Sequence, residues 1–367
     1  MNKQIHKRTF ADLSVQGLDG LRDEHGILNF SPRMIEAFRT DPFARSEDVV
    51  QIVGSVDGVA AGSVFSLPLE VRIGKTIHRT AAGCAMTVVE KFRNTQFGLK
   101  LPVSRLGATA EKFMIGCSQS QMMIKVSEFI GSTIFYSPRL IMLFKSRAVV
   151  EMRLRGLLGK LVQVLVDCGL RCYWRLAKMC VRGALKDYEM VSVTAADAEG
   201  IRVVADIIRG ETPLCGEVHD ERWIKWHLSA SFSENGPLSL TVLRKNGNPV
   251  AFYMTKRRFY GQASHRGFKN VWLGSVVEWG ALPEYAGVVR PMLMMAAALL
   301  MGQCDAVELV ATELKTEQYF RKCGWCHVGD SNYVFKIADG SVLAGNEVMH
   351  KRESWRLRPA MGDNGMS

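Results

Sequence analysis

A chain of 367 residues is long enough for two domains with separate cores, and its 47% hydrophobic and 23% charged residues exclude wholesale disorder. The formal charge of +11 is concentrated in one place. Ten Lys or Arg stand between Lys145 and Lys186 against only Glu151 and Asp167, which leaves the rest of the chain near neutral. Within that segment only Tyr173 and Trp174 are aromatic, too few for a base-stacking surface, so no specific nucleic-acid partner is expected.

The start, MNKQIHKRTFADL, has no apolar core of the kind a secretory signal needs. The longest apolar stretch, Pro291 to Met301, falls well short of the roughly 20 residues of a membrane-spanning helix. Both features predict a cytoplasmic protein. Nine cysteines, an odd number without regular spacing, predict reduced thiols. Cys323-Gly-Trp-Cys326-His327 fits the spacing of covalent haem attachment, but that chemistry belongs to exported proteins. No further Cys or His stands near it at zinc spacing, so no metal is expected.

In chain order, DVVQIVGSVDGVAAGSVFSLPL predicts a hairpin turning at Asp57-Gly58, and LEVRIGKTIH predicts a second turn at Gly74-Lys75. AAGCAMTVV is an apolar strand that runs into the polar loop Arg93-Asn94-Thr95-Gln96-Phe97-Gly98. Leu99 to Lys112 reads as a helix, and Pro102 suits it only if it starts near Leu99. FMIGCS reads as a strand, and SQMMIKVSEFI as a short helix stopped at Gly131.

The second half repeats this order. PLSLTVLRKNGNPVAFYMTKR predicts a hairpin around Asn246-Gly247, and NVWLGSVVEWG a buried strand. GVVRPMLMMAAALLMGQ contains an apolar helix, DAVELVAT a strand, TEQYFRKCGW a short helix and NYVFKI a last strand. Between the halves Leu154, Leu158, Leu161 and Leu165 recur at helical spacing with cations on the other faces. One reading is a linker helix packed against both domains; the other is a basic amphipathic helix on an anionic membrane or an acidic partner. The pattern predicts an α+β class, each half a mostly antiparallel mixed sheet flanked by helices. The predicted divisions are a first domain at 1–145, a basic helical linker at 146–187, a second domain at 188–340 and a polar tail at 341–367.

The polar loop carries its own physical argument. A helix N-terminus leaves N–H donors unpaired and carries partial positive charge, so it favours a phosphate. Gly98 would let a pyrophosphate approach the backbone, and Arg93 would add a cation at the rim. Gln96 can present its N–H as a glycine would if its φ is negative; a positive φ would be costly there. The corresponding junction of the second half, Pro283-Glu-Tyr-Ala-Gly-Val-Val-Arg290, lacks such a pattern, and Glu284 would repel phosphate.

This layout resembles the GNAT superfamily of acyl-CoA-dependent N-acyltransferases, in a tandem arrangement covering roughly residues 10–145 and 188–340. The family's Arg/Gln-x-x-Gly-x-Gly/Ala loop is matched at Arg93 and Gly98, with Gln96 in place of the first glycine. Tyr319-Phe320-Arg-Lys-Cys-Gly324-Trp325 is similar to a second family feature, and Ser127-Glu-Phe-Ile-Gly131 is a fainter echo of it. The layout also looks like acyltransferase-like proteins of bacterial surface polysaccharide pathways.

The resemblance implies acetyl-CoA or another acyl-CoA as cofactor, held by Val88, Val89, Arg93, Asn94, Thr95, Gln96, Phe97, Gly98 and Leu99. It implies a small-molecule amine, such as an amino sugar, as acceptor. Acyl transfer from a thioester needs a base for the amine, an acid for the thiolate and a donor for the oxyanion. The candidates are Glu90, His78 and Ser118, each with a structural alternative as strand end, turn residue or helix cap. Cys84 fits a buried hydrophobe better than a nucleophile. Glu278 and Tyr319 are candidate substrate contacts; the family's acidic tyrosine falls on Phe320, and Tyr319 lies about 100° away around the helix. A catalytically degenerate tandem fold serving as a binding or scaffold protein is the alternative.

Overall fold

In the computed structural model the described residues are 2–12, 32–109, 111–117, 119–147, 156–211, 213–229, 237–261 and 270–361. The strands, in chain order, are β1 (Lys3–Thr9), β2 (Val49–Val56), β3 (Val59–Ile73), β4 (Thr76–Val88), β5 (Phe113–Cys117) and β6 (Thr133–Leu143). They continue with β7 (Tyr188–Val193), β8 (Cys215–Glu217), β9 (Ser239–Lys245), β10 (Asn248–Tyr260), β11 (Val271–Ala281), β12 (Ala306–Val310) and β13 (Cys326–Ile337). The hairpin turns fall where their residue pairs predict them. Asp57 and Gly58 have φ of 50° and 79°, and Asn246 and Gly247 have 52° and 79°, the left-handed pair that matches strand twist.

The chain forms two compact units, and neither is a contiguous segment. One comprises Met1–Tyr136, Thr212–Gly236 and Ser331–Ser367; the other comprises Ser137–Glu211 and Pro237–Asp330. The contiguous division expected from sequence differs from this one because strands and helices from each half of the sequence complete a sheet or core in the other unit.

In the first unit β1, β2, β3 and β4 pair antiparallel in that order, β4 pairs parallel with β5, and β5 pairs antiparallel with the Tyr333–Ile337 part of β13. β8 pairs with Val71–Ile73 of β3. Residues Ala61 to Leu69 of β3 are buried without interruption, the signature of a strand covered on both faces. On one face the helix Phe97–Leu106 seats Phe97 and Leu101 against Ile52, Ala61 and Val64. Gly54 and Gly62 are cross-strand partners beneath that helix. A Cβ on Gly54 would stand 2.4 Å from the Phe97 ring, and one on Gly62 would stand 2.7 Å from the Thr87 carbonyl oxygen. Two glycines thus make the dimple that holds the helix.

Asp41 is buried in this unit, and its carboxylate accepts the Phe43 N–H at 2.8 Å. Burial pushes its pKa up to about 8, against the smaller opposing effect of that hydrogen bond. The folded state therefore holds a proton on Asp41 that the unfolded chain releases near pH 4. Between about pH 4 and pH 8 the native state binds more protons than the unfolded one, so this group's contribution to stability falls as pH rises. Asp41→Asn is expected to flatten that part of the stability–pH curve and to gain most, relative to the parent, above pH 8. Urea titrations across this range measure it; parallel curves for parent and variant would refute it.

The second unit has the sheet order β6-β12-β11-β10-β9-β7, with Arg139–Leu143 of β6 antiparallel to β12, and β12 parallel to β11. Its apolar helix Val289–Leu299 buries Met292 to Ala298. Against it packs the long helix Gly156–Ala184 from the basic segment. Trp174 of that helix is fully buried among Phe144, Trp325 and Leu140, and its Nε1 donates to the Leu143 carbonyl at 2.9 Å. Tyr173 donates its hydroxyl to the Cys323 carbonyl at 2.7 Å, and Val181 and Leu185 complete the seam. Residues 156–184, expected as part of a linker, are a built-in element of this unit.

Candidate active site

Each unit runs strand, 3-10 turn, helix, parallel strand, helix. In the first these are β4, Glu90–Thr95, Phe97–Leu106, β5 and Gln121–Phe129; in the second, β11, Pro283–Val288, Val289–Leu299, β12 and Leu314–Lys322. Both central strands carry a bulge. On β4 the register passes from Phe65↔Cys84 to Ser63↔Thr87, so Ala85 and Met86 face one residue of β3, and Ala85 has φ of 43°. On β11, Val277 is the extra residue between Met254↔Glu278 and Thr255↔Val276.

The pairing of β4 with β5 lies before the bulge. Among the described residues it is Ala81↔Met114 and Ala82↔Ile115, although both strands continue. Gly83 is small because Arg105 passes over it: a Cβ there would collide with the guanidinium, which also reaches the Met114 sulfur at 2.8 Å. Val89 donates its N–H to the Ala61 carbonyl at 2.9 Å, and the Val88 and Val89 side chains pack on the Phe97 cluster. These two valines hold the loop down through their side chains and the Val89 N–H.

Of the two conformations open to Gln96, the loop has the costly one. Gln96 has φ of 71° and ψ of 1°, a left-handed residue between the 3-10 turn and the helix. The conformation that favours glycine is thus adopted by a glutamine, at a cost of about 1 kcal/mol relative to glycine. The helix starts at Phe97, so Pro102 lies at its sixth residue and leaves the Gly98 carbonyl without an amide partner from that position. The Gln96 carbonyl accepts the N–H groups of both Leu99 and Lys100 at 3.0 Å, and no side chain caps the first turn. A Cβ on Gly98 would meet nothing within 4 Å, so the first turn opens onto free space. Arg93 and Asn94 are exposed beside it, with Lys91 over the Phe92 ring at 4.7 Å.

The three catalytic candidates do not form one cluster. Glu90 is exposed, one turn from the loop, at the carboxyl end of β4. His78 stands near the other end of the same strand, roughly 30 Å from Val88 at about 3.3 Å per residue. There its Nδ1 meets Glu111 Oε2 at 2.7 Å, and Glu111 also accepts the Arg79 N–H at 3.0 Å, a structural clamp. Ser118 lies outside the described residues. Cys84 is buried on β4, as a small hydrophobe.

Glu278 and Tyr319 belong to the second unit. Glu278 is fully buried on β11, and its Oε1 accepts the Trp279 N–H at 2.9 Å. Burial pushes the Tyr319 phenol above its ordinary pKa, with Cys323 adding to the effect, and the Arg290 guanidinium lies 5.8 Å from its ring centre. Phe320 is fully buried against Trp325, so the position of the expected acidic tyrosine is core. His327 of the C-x-x-C-H run approaches Asp330 at 3.0 Å, and among the described residues no group of three His, Cys, Asp or Glu could hold a metal.

Sequence reasoning missed a polar chain at the carboxyl end of β5. Ser127 donates to Gln119 Oε1 at 2.8 Å, the Gln119 N–H donates to Asn332 Oδ1 at 2.9 Å, and Asn332 returns a bond to the Gln119 carbonyl at 3.0 Å. Buried Tyr333 stands opposite Cys117 in the ladder. Asn332 and Tyr333 arrive on β13, which a contiguous reading assigns to the other half.

No family model matches the chain, and no curated protein matches it by sequence. Solved structures do. Saccharomyces cerevisiae N-myristoyltransferase with bound myristoyl-CoA aligns over 91% of this chain and 79% of its own, at 9% identity and a TM-score of 0.58. A GCN5-related N-acetyltransferase from Anabaena variabilis aligns over 92% and 73%, at 10% identity and a TM-score of 0.52. One from Kribbella flavida aligns over 92% and 71%, at 11% identity and a TM-score of 0.51. At such identities the likeness is one of architecture: this chain has the α+β fold of GNAT-type acyltransferases, a mixed sheet flanked by helices.

Proposed function

We propose that this protein is an acyl-CoA-dependent N-acyltransferase with two GNAT-like halves, the first binding the acyl-CoA and the second contributing to acceptor recognition. The observation that carries the reading is the junction of β4 with the Phe97–Leu106 helix: a bulged strand leads into an uncapped helix N-terminus with open space at Gly98. The N–H groups of Phe97 and Gly98, with Arg93 at the rim, suit a pyrophosphate. The end of β4, past its pairing with β5, suits the amide-bearing arm of coenzyme A. Bound acyl-CoA supplies an activated acyl group as its thioester. Glu90, exposed just past the end of β4, is the residue we favour to take the proton of an attacking amine.

Acetyl is the simplest donor, and an amino sugar or another small amine the acceptor we favour, consistent with a role in surface polysaccharide biosynthesis. The yeast neighbour binds myristoyl-CoA, so donor length belongs in the test. Thermal melting with coenzyme A should raise Tm, because a ligand selective for the native state stabilises it by mass action. Thiol release from acetyl-, octanoyl- and myristoyl-CoA with a panel of amines then identifies donor and acceptor. No Tm shift at saturating coenzyme A, with no thiol release from any donor, would overturn the proposal.

A further inference from the structure

The helix Gly156–Ala184 has two apolar faces where a surface helix needs one. Its inner face carries Trp174 and Val181 into the core of the second unit. On the opposite side Leu158, Leu161, Leu165, Leu176 and Met179 share one stripe at helical spacing, with Leu165 73% and Met179 67% exposed. Cys168 and Cys172 fill the same stripe and are exposed. A solvated helix face should be polar; this one is an apolar band running most of a helix about 43 Å long.

The charges beside the band have one sign. Lys160, Arg171, Arg175, Lys178 and Arg182 line one flank, about 200° to 260° around the helix from Leu158. The helix's single carboxylate, Asp167, is turned toward Ser146, whose N–H it accepts at 2.6 Å. That contact lies on the side of the helix away from the band, and a separate cluster lies beyond it. Lys145, next to Ser146, pairs with Asp305 at 2.9 Å, and Asp305 accepts the Trp272 N–H at 2.9 Å. Trp272 is 38% exposed and Phe259, its partner across β10 and β11, is 44% exposed. The Arg257 guanidinium lies 6.0 Å from the Trp272 ring centre. Exposed tryptophan with arginine beside it is the chemistry of a water–lipid boundary.

The geometry points to an anionic lipid bilayer as the occupant of this surface: the helix lies along the headgroups with its leucine band inserted. Charge decides for it over a second copy of this chain. The flank offers five cations and no carboxylate, so the complementary charge has to come from the occupant. No helix of the described residues is long and apolar enough to cross a membrane, so the contact is peripheral.

The test is co-sedimentation of the full chain with vesicles of phosphatidylcholine, alone or mixed with phosphatidylglycerol. The protein should bind the mixed vesicles and leave the neutral ones, and salt should weaken binding. Leu161→Glu with Leu165→Glu should lower partitioning by at least about tenfold, since both leucines would otherwise insert. Arg171→Ala with Arg175→Ala should lower it by roughly fivefold per cation. Met122→Glu, at a residue 72% exposed on the first unit, should change nothing. These side chains are exposed, so circular dichroism should match the parent for each variant. Absence of binding to the mixed vesicles, or equal binding by the leucine variant, overturns the proposal. So does a parent dimer in sedimentation velocity that the leucine variant dissociates while vesicles have no effect.

Discussion

Glutamate in place of Gly98 is expected to weaken coenzyme A binding by at least about 100-fold while leaving the melting temperature of the free protein unchanged. The second half of that expectation comes from the open space in front of this residue: a side chain there touches nothing within 4 Å at its first carbon. The new carboxylate would occupy the mouth of an uncapped helix N-terminus, where a phosphate would otherwise sit, and would satisfy the same donors from within the chain. Gly287→Glu is the matched control. That glycine also has open space around it, in the turn that already carries Glu284, so coenzyme A affinity should not respond. Isothermal calorimetry on parent and both variants measures the difference. Equal affinity of Gly98→Glu and parent would reduce the loop to a turn and remove the cofactor site.

Trp174→Ala is expected to cost the second unit about 3 to 5 kcal/mol, the range for deleting a large buried aromatic. The side chain is fully buried, packs edge-on against Trp325 and tilted against Phe144, and spends its one donor on the Leu143 carbonyl. Its loss would leave a cavity and an unsatisfied carbonyl together. Because this residue fastens the long helix to its unit, the variant should also expose that helix to proteases early in a urea titration. Limited proteolysis beside the unfolding curve tests both. A loss under about 1 kcal/mol would mean that the helix is held by other contacts.

Local chemistry was legible, and long-range pairing was not. Asp57-Gly58 and Asn246-Gly247 announce their hairpins because only a few residue pairs tolerate two successive positive φ angles. The helix stop at Gly131, with φ of 71°, was legible for the same reason. The apolar run before Arg93 announced a strand. The bulge at Ala85 and Met86 gave no signal, since alanine and methionine do not betray a left-handed backbone. Gln96 was half legible: its place in the loop raised a positive φ as one of two conformations, and the structure has that one.

His78 shows a different failure. It is twelve positions from Glu90, which reads as near, but ten of those positions are extended chain, and a strand converts sequence proximity into distance. The strand–loop–helix order around Glu90 was legible, since an apolar run followed by a polar loop marks a strand end. Asn332 and Tyr333 could not be found, because the residues they meet are more than 200 positions earlier.

The path of β13 has a consequence for biosynthesis. The last strand of the first unit's sheet is made from Tyr333 to Ile337, so a nascent chain that has reached residue 145 still lacks part of that sheet. β5 must wait, with one edge unpaired, for nearly 200 further residues to be translated, about 10 to 40 s at ordinary elongation rates. Over that interval the emerging chain presents a bare strand edge, the surface that chaperones cover and that aggregation exploits. The same connectivity makes the gene hard to split: a fragment ending near residue 145 lacks a strand of its own sheet, and a fragment starting there carries that strand without its partner. The first unit therefore needs both halves of the sequence to finish folding, and the halves of this chain are expected to have been inherited and selected together.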